Sequence, residues 1–229
     1  MRRKLTLEIL LIVTFLVYAG CGKFARKSKP VEDVEVVAVQ KGHLLADATV
    51  VFFDEDMSPY YTQQQHNIGP EDGSITVTAD EPHGAVKCQL SGNAFSVSSG
   101  GSSLVGSQTV CHENIMRAIV TCFSAGAGYI PSDFIENDQP VKYEGKWYRT
   151  LVSADKGLTL YRNVSTEKIE MVNVEDASNG SKLLAVGYNQ RWVKKLSRSF
   201  PTKIDIFSID HRNKKQRLVQ IEYQRISAL

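Results

Sequence analysis

Absences narrow the field before any motif does. The chain of 229 residues carries no HExxH pair, no CxxC, no phosphate-cradling GxxxxGK[ST] loop, no GxGxxG dinucleotide turn and no GxSxG elbow. Zinc-peptidase, nucleotide and serine-hydrolase chemistry therefore have no footing in local sequence. Charge of one sign is equally scarce. Arg2, Arg3 and Lys4 set against Glu8 account for the whole formal charge of +2, which leaves everything from Cys21 onward neutral. A neutral body is not built to coat nucleic acid, because counterion release needs a clustered basic face. Long apolar runs are missing too. The longest, Ile9 to Val17, is broken by Thr14 and falls short of the ~20 residues of a spanning helix. What remains is an ordinary globular balance, 42% hydrophobic and 23% charged.

The N-terminus is the most informative segment. Met1 to Lys4 is basic, Ile9 to Val17 is apolar, and Ala19-Gly20 places small residues immediately before Cys21. That is the layout of an export signal with its cleavage site. The run Val17-Tyr18-Ala19-Gly20-Cys21 resembles the lipobox of bacterial lipoproteins, with Tyr18 standing where that family usually carries an aliphatic residue. The resemblance implies removal of residues 1–20, acylation of Cys21 and attachment to membrane lipid through it. Several acyl chains hold where one does not, each buried methylene contributing ~0.8 kcal/mol. Residues 21–33 then read as the lipidated cysteine and a basic tether, with Lys23, Arg26, Lys27 and Lys29 placed to face anionic head groups or solvent. Gly22 occupies the position where, in Gram-negative lipoproteins, Asp tends to retain the protein at the inner membrane. The resemblance therefore leans toward the outer membrane, facing the periplasm.

Residues 34–229 read as one domain of strands broken by turns. Val34 to Val39 and Leu44 to Phe53 are apolar stretches, and Pro70-Glu71-Asp72-Gly73 is a turn. Ser74 to Ala79 alternates with a period of two, the mark of a half-buried strand. Gly84–Leu90 and Ala94–Ser98 flank a hairpin loop, and Ser98 to Gly106 is a Gly/Ser-rich loop. Ser107 to Ala125 reads as a helix. Its Ile115, Ile119, Cys122 and Phe123 share one face, and Gly126, Gly128 and Pro131 close it. Strands return at Trp147–Ser153, Leu158–Arg162, Lys168–Val174, Leu183–Tyr188, Lys203–Ser208 and Arg217–Gln224. Lys203–Ser208 begins after Pro201, which can open a strand but cannot sit inside a central one. Short turns between successive strands imply antiparallel pairing. The fold class is α+β, a large curved antiparallel sheet with one or two helices on its concave face.

The order of sheet, helix and sheet behind a lipidated N-terminus resembles the outer-membrane lipoprotein carrier and receptor family (LolA/LolB-like). The stretches Phe200 to Phe207 and Arg217 to Tyr223 and the hairpin Gly145-Lys146-Trp147-Tyr148 carry the likeness, which runs from Ser74 to Arg225. It implies an unclosed β-barrel whose concave side binds acyl chains or another lipoprotein. No ligand-contacting residue transfers position by position. The alternative function is a scaffold or interaction module of an envelope complex with no small ligand, its protein partner unknown.

Other constellations weigh less. Cys88, Cys111 and Cys122 read as three buried thiols, or as a Cys88–Cys122 pair with Cys111 left over. Cys111-His112-Glu113 has no second half-site, and neighbours on a helix do not face one another. His43, His66, His83 and His211 are scattered and read as surface residues. The carboxylates of Asp54-Glu55-Asp56 and Asp80-Glu81-Pro82, and Ser102 and Ser103, sit in turn-rich surroundings with no convergent base. Tyr60, Tyr61, Trp147, Tyr148, Tyr161, Tyr188 and Trp192 either line an apolar cavity or pair across strands. No catalytic residue, metal or cofactor is assigned, and the sole site residue is Cys21.

Overall fold

In the computed structural model, which describes residues 42–53, 59–81, 84–92, 94–99, 112–153, 157–175, 181–210, 212 and 214–229, strand follows strand with a single helical interruption. The order is β1 (Leu44–Phe53), β2 (Pro59–Gly69), β3 (Ser74–Glu81), β4 (Gly84–Ser91), β5 (Ala94–Ser99), α1 (Glu113–Gly126), β6 (Ile135–Tyr143), β7 (Lys146–Ser153), β8 (Leu158–Asn163), β9 (Ile169–Glu175), β10 (Lys182–Val193), β11 (Arg198–Ile209) and β12 (Lys215–Ala228). The cysteine at position 21, its tether and the apolar run Val34–Val39 lie outside the described residues, as do residues 54–58 and 100–111.

All twelve strands form one antiparallel sheet, ordered β5-β4-β3-β2-β1-β12-β11-β10-β9-β8-β7-β6. Two meanders meet where β1 pairs with β12, from Leu44 opposite Ala228 to Phe52 opposite Val219. The outermost strands, β5 and β6, do not pair with each other, so the sheet is not closed. The chain passes between those two edges through α1. The helix packs on β9, β10 and β11 of one meander and also touches β2, β3 and β4 of the other. Strands that far apart in the order can meet one helix only if the sheet curves around it.

Alternation explains which face curves inward. Ala46, Ala48 and Val50 of β1, Ile75 and Val77 of β3, Ile204 and Ile206 of β11, and Val219, Ile221 and Tyr223 of β12 are all buried in one core with Met116, Ile119, Val120 and Phe123 of α1. Glu222 and Gln224 of β12 face water, so the split read from that strand's sequence holds. Bulges between Asp47 and Ala48 and between Ile206 and Phe207 accommodate the bending. The helix opens with an ion pair one turn apart, Arg117 to Glu113 at 2.5 Å. It closes at Gly128, whose φ of 83° suits a residue without a Cβ. Phe123 is the keystone of its buried face. Its ring stacks 5.8 Å from Phe200 and meets Tyr223 edge-on at 5.1 Å.

Three expectations need correction. Two strands, β2 and β6, carry no alternating signal. The stretch Tyr-Tyr-Thr-Gln-Gln-Gln-His-Asn of β2 is polar, and its strand character comes from pairing with β1, supported by Thr49–Gln63 side-chain bonds. β6 is an exposed edge holding Pro140, and its ladder with β7 is irregular between Asn137 and Val141. Pro201 lies inside β11 after all. At that position β11 pairs with β10, opposite Gln190, while its pairing with β12 begins only at Lys203, so the proline lies where the strand has a neighbour on one side. Among the described residues there is one helix, which begins at Glu113.

The third correction concerns histidine. His66 is fully buried under α1, and His43 is buried too, while His83 and His211 lie outside the described residues. His66 Nε2 donates to Gln64 Oε1 at 3.1 Å and Nδ1 accepts from the Tyr223 hydroxyl at 3.1 Å, the arrangement of a neutral ring. Burial lowers its pKa to about 3. A histidine of depressed pKa contributes nothing adverse above about pH 6.5, and costs stability as pH falls from there toward its folded value. Unfolding in urea should therefore show a loss of about 2 kcal/mol between pH 7 and pH 5 that is absent in His66→Gln. An equal loss in both proteins would place the acid sensitivity elsewhere.

Candidate functional site

One helix is too narrow to fill the concave face, and a cavity of about 430 Å³ is left beside its C-terminal half. That volume falls in the range of small-molecule sites. Its apolar wall is Leu90 of β4, Val120 of α1, Ile130 and Phe134 from the loop after the helix, and Leu158 and Leu160 of β8. Both meanders thus contribute, together with the helix between them. Thr121 and Ser124 add hydroxyls from the helix. The Ser124 hydroxyl is spent on the helix itself, donating to Val120 O at 2.9 Å.

Polar groups gather at the rim. Glu71, Asp72 and Gly73 of the β2–β3 turn, Gly92 of the β4–β5 turn, Arg117 and Tyr129 border the cavity. The Tyr129 hydroxyl donates to Glu71 Oε1 at 2.7 Å, joining the post-helix loop to the β2–β3 turn across the mouth. This bond to a carboxylate raises the pKa of Tyr129, with partial burial adding to the effect. The Arg198 guanidinium lies over the Tyr129 ring at 5.3 Å. On the other side of the turn, His43 bridges Asn67 and Asp72, 3.1 Å from each. Partial burial pushes the Asp72 carboxyl up, but hydrogen bonds from Ser74 and His43 outweigh it and hold the group below its usual value. Gly69 makes room for this arrangement, since a Cβ there would stand 2.7 Å from His43 Nε2.

The remaining sequence candidates separate. Cys88 is disulfide-bonded, and Cys122 is a buried free thiol. This corrects the picture of three free thiols and rules out a Cys88–Cys122 bridge. Cys122 sits on the helix face turned to the sheet, and burial raises its pKa to about 12, so it is not a reactive thiolate. Glu113 is engaged by Arg117, and His112 is exposed at the helix start. Among the described residues no three His, Cys, Asp or Glu side chains converge as metal ligands. Asp54, Glu55, Asp56, Ser102, Ser103 and Cys111 lie outside the described residues.

None of the seven aromatics singled out lines this cavity. Tyr148 and Tyr161 meet edge-on at 6.3 Å in a second apolar cluster with Met171 and Leu184, separate from the main core. Tyr60 pairs with Phe52 across β1 and β2 at 6.5 Å. Cross-strand support is therefore the role of those two pairs. The cavity's own lining was not singled out from sequence. The turn Pro70–Gly73 was legible, but nothing local says that it forms a rim.

No protein-family model matches the chain, and no curated protein does. Among solved structures, a LolA superfamily protein from Nitrosomonas europaea is similar in fold, with a TM-score of 0.51 and 13% identity over 81% of this chain and 86% of that one. A domain described as an outer membrane lipoprotein-sorting protein from Vibrio parahaemolyticus follows at 0.44 and 11%, covering 81% and 84%. A DUF1329 family protein from Desulfovibrio piger has a TM-score of 0.43 at 6% identity, covering 82% and 86%. The first likeness shows the fold of the body to be LolA-like.

The cavity geometry carries its own test. Thr121 is half-buried on the helix and faces the space, so Thr121→Phe should fill it without disturbing the core. Binding of an apolar fluorescent probe such as anilinonaphthalene sulfonate should weaken at least ~tenfold, with the melting temperature nearly unchanged. Undiminished probe binding in Thr121→Phe would show that the probe enters elsewhere.

Proposed function

We propose that the chain is an exported lipoprotein, cut before Cys21 and anchored by acyl chains on that residue, whose curved sheet holds a lipid or the acyl chain of another lipoprotein. The observation that carries the binding half is the cavity of about 430 Å³, walled by Leu90, Val120, Ile130, Phe134, Leu158 and Leu160 and edged by Glu71, Asp72, Arg117 and Tyr129. An apolar interior with a polar mouth suits an amphiphile, tail inside and head group outside. The LolA-like fold supports the same reading. The anchoring half rests on the basic start, apolar core and Ala19-Gly20-Cys21 junction.

In this reading the protein is a binder and performs no catalysis. The buried polar groups nearest the helix are occupied in supporting the core, as His66 is with Gln64 and Tyr223. Burial raises the pKa of Cys122 and that of Tyr223, the wrong direction for a nucleophile. The location that follows is the cell envelope, on a membrane facing the periplasm, with the outer membrane favoured by Gly22.

Growth with a labelled fatty acid should mark the protein and leave Cys21→Ser unmarked. Label retained in Cys21→Ser would end the anchoring reading. Separately, solvent extraction of the purified Cys21→Ser protein should release a lipid, and the Thr121→Phe change on that background should reduce its amount. An extract free of lipid, with a constant protein partner recovered by crosslinking in cells, would favour the scaffold reading instead.

A further inference from the structure

One end of the sheet gathers features that the cavity does not use. No Asp or Glu occurs between Asp176 and Asp205, a stretch that includes all of β10, its turn and the first half of β11. Four cations, Arg191, Lys194, Lys195 and Arg198, crowd the tip of that hairpin, and all four are exposed. Trp192 stands among them with 62% of its surface in water. A large aromatic left exposed in a ring of cations is expensive to keep in contact with water alone. Lys194 has no ion-pair partner among the described residues. Behind Trp192 lies a recess of about 410 Å³, lined also by Arg162, Lys168 and Arg198, in which Glu167 is the sole acid.

The position of this tip matters as much as its composition. Lys195 Nζ donates to the backbone oxygens of Ala228 and Leu229, at 3.3 and 2.9 Å. The Leu229 N–H in turn donates to His43 O at 2.9 Å. His43, at the start of the described residues, therefore lies beside the hairpin tip. The cavity mouth is at this end too, since Arg198 lies over Tyr129 and Tyr129 bonds Glu71. The two rim acids are tied to neighbours, Glu71 accepting from Tyr129 and Asp72 from His43 and Ser74.

We propose that the β10–β11 hairpin tip docks on an anionic phospholipid bilayer, with Trp192 at the level of the head groups and Arg191, Lys194, Lys195 and Arg198 against their phosphates. Tryptophan favours that interface, and basic residues near an anionic surface each strengthen binding about fivefold. Docking in this way turns the cavity mouth toward the bilayer from which an amphiphile would be drawn. The proposal rests on the lipoprotein reading only for its biological setting. The contact itself requires no acyl chain.

The test uses the full chain carrying Cys21→Ser, so that no acyl chain is present. Trp147→Phe leaves Trp192 as the sole tryptophan, there being two in the chain. Vesicles of phosphatidylcholine, alone or with one-quarter phosphatidylglycerol, carry brominated acyl chains that quench nearby indole. Trp192 emission should shift to the blue and be quenched with the anionic vesicles, and much less with the neutral ones. The Trp192→Phe protein, which keeps Trp147, should show no quenching. Lys194→Gln with Lys195→Gln should weaken the response roughly 25-fold. Unquenched Trp192 on sedimented anionic vesicles, equal response to both lipids, or undiminished binding of the double variant would each overturn the proposal. Docking on an acidic protein instead would give the first of these results. Failure of the lipidation reading shows up separately, in fatty-acid labelling, and leaves this result untouched.

Discussion

The structure depends on the contact between one apolar helical face and the inside of a sheet that does not close. Twelve strands spaced ~4.8 Å apart make a ribbon roughly 55 Å across. A helix with side chains is only ~10 Å thick. The concave face is thus far wider than the one helix that packs on it among the described residues. Phe123, locked between Phe200 and Tyr223, seats α1 against β9–β11, and the sheet must curl to bring β2–β4 within reach of the same helix. Space is left where the curl is incomplete, beside Val120, Thr121 and Ser124. The cavity is a consequence of that mismatch in width.

The same contact decides the chemistry of the interior. Groups that could titrate or react, His66, Cys122 and Tyr223, lie between the helix and the sheet, where burial favours their uncharged forms. They hold the core together and are withdrawn from solution. Charged groups lie at the rim, at the hairpin tips and along the strands, where Asp205, itself buried, pairs with Arg217 at 3.3 Å. An interior that is neutral and apolar beside a mouth that is polar is the division an amphiphilic ligand needs.

Legibility in the sequence followed the physics of each element. β3 and β12 were readable because one face is buried and the other wet, so apolar residues alternate. The helix was readable from Ile119, Cys122 and Phe123 at helical spacing. β2 was not, since its inward residues include Gln64 and His66, polar groups bonded to one another and, through His66, to Tyr223. β6 was not, because an edge strand exposed along its length has no apolar face to betray it. Pro201 misled because the local sequence does not tell that β12 stops pairing two residues beyond it. The cavity is a property of three segments distant in sequence, the β2–β3 turn, the helix and β8, and no window along the chain contains it. The lipobox-like run ending at Cys21 is the reverse case, a local pattern, and it lies outside the described residues.

The central claim is that the space beside α1 holds an apolar chain. It is tested most directly by nuclear Overhauser contacts between a uniformly ¹³C-labelled fatty acid and the methyl groups of the protein. Contacts from the chain methylenes to Leu90, Val120, Leu158 and Leu160 are predicted, with the carboxylate end near Tyr129 or Arg117. Contacts confined to the outer cluster around Met171 and Leu184, or none to any inward-facing methyl, would contradict the account.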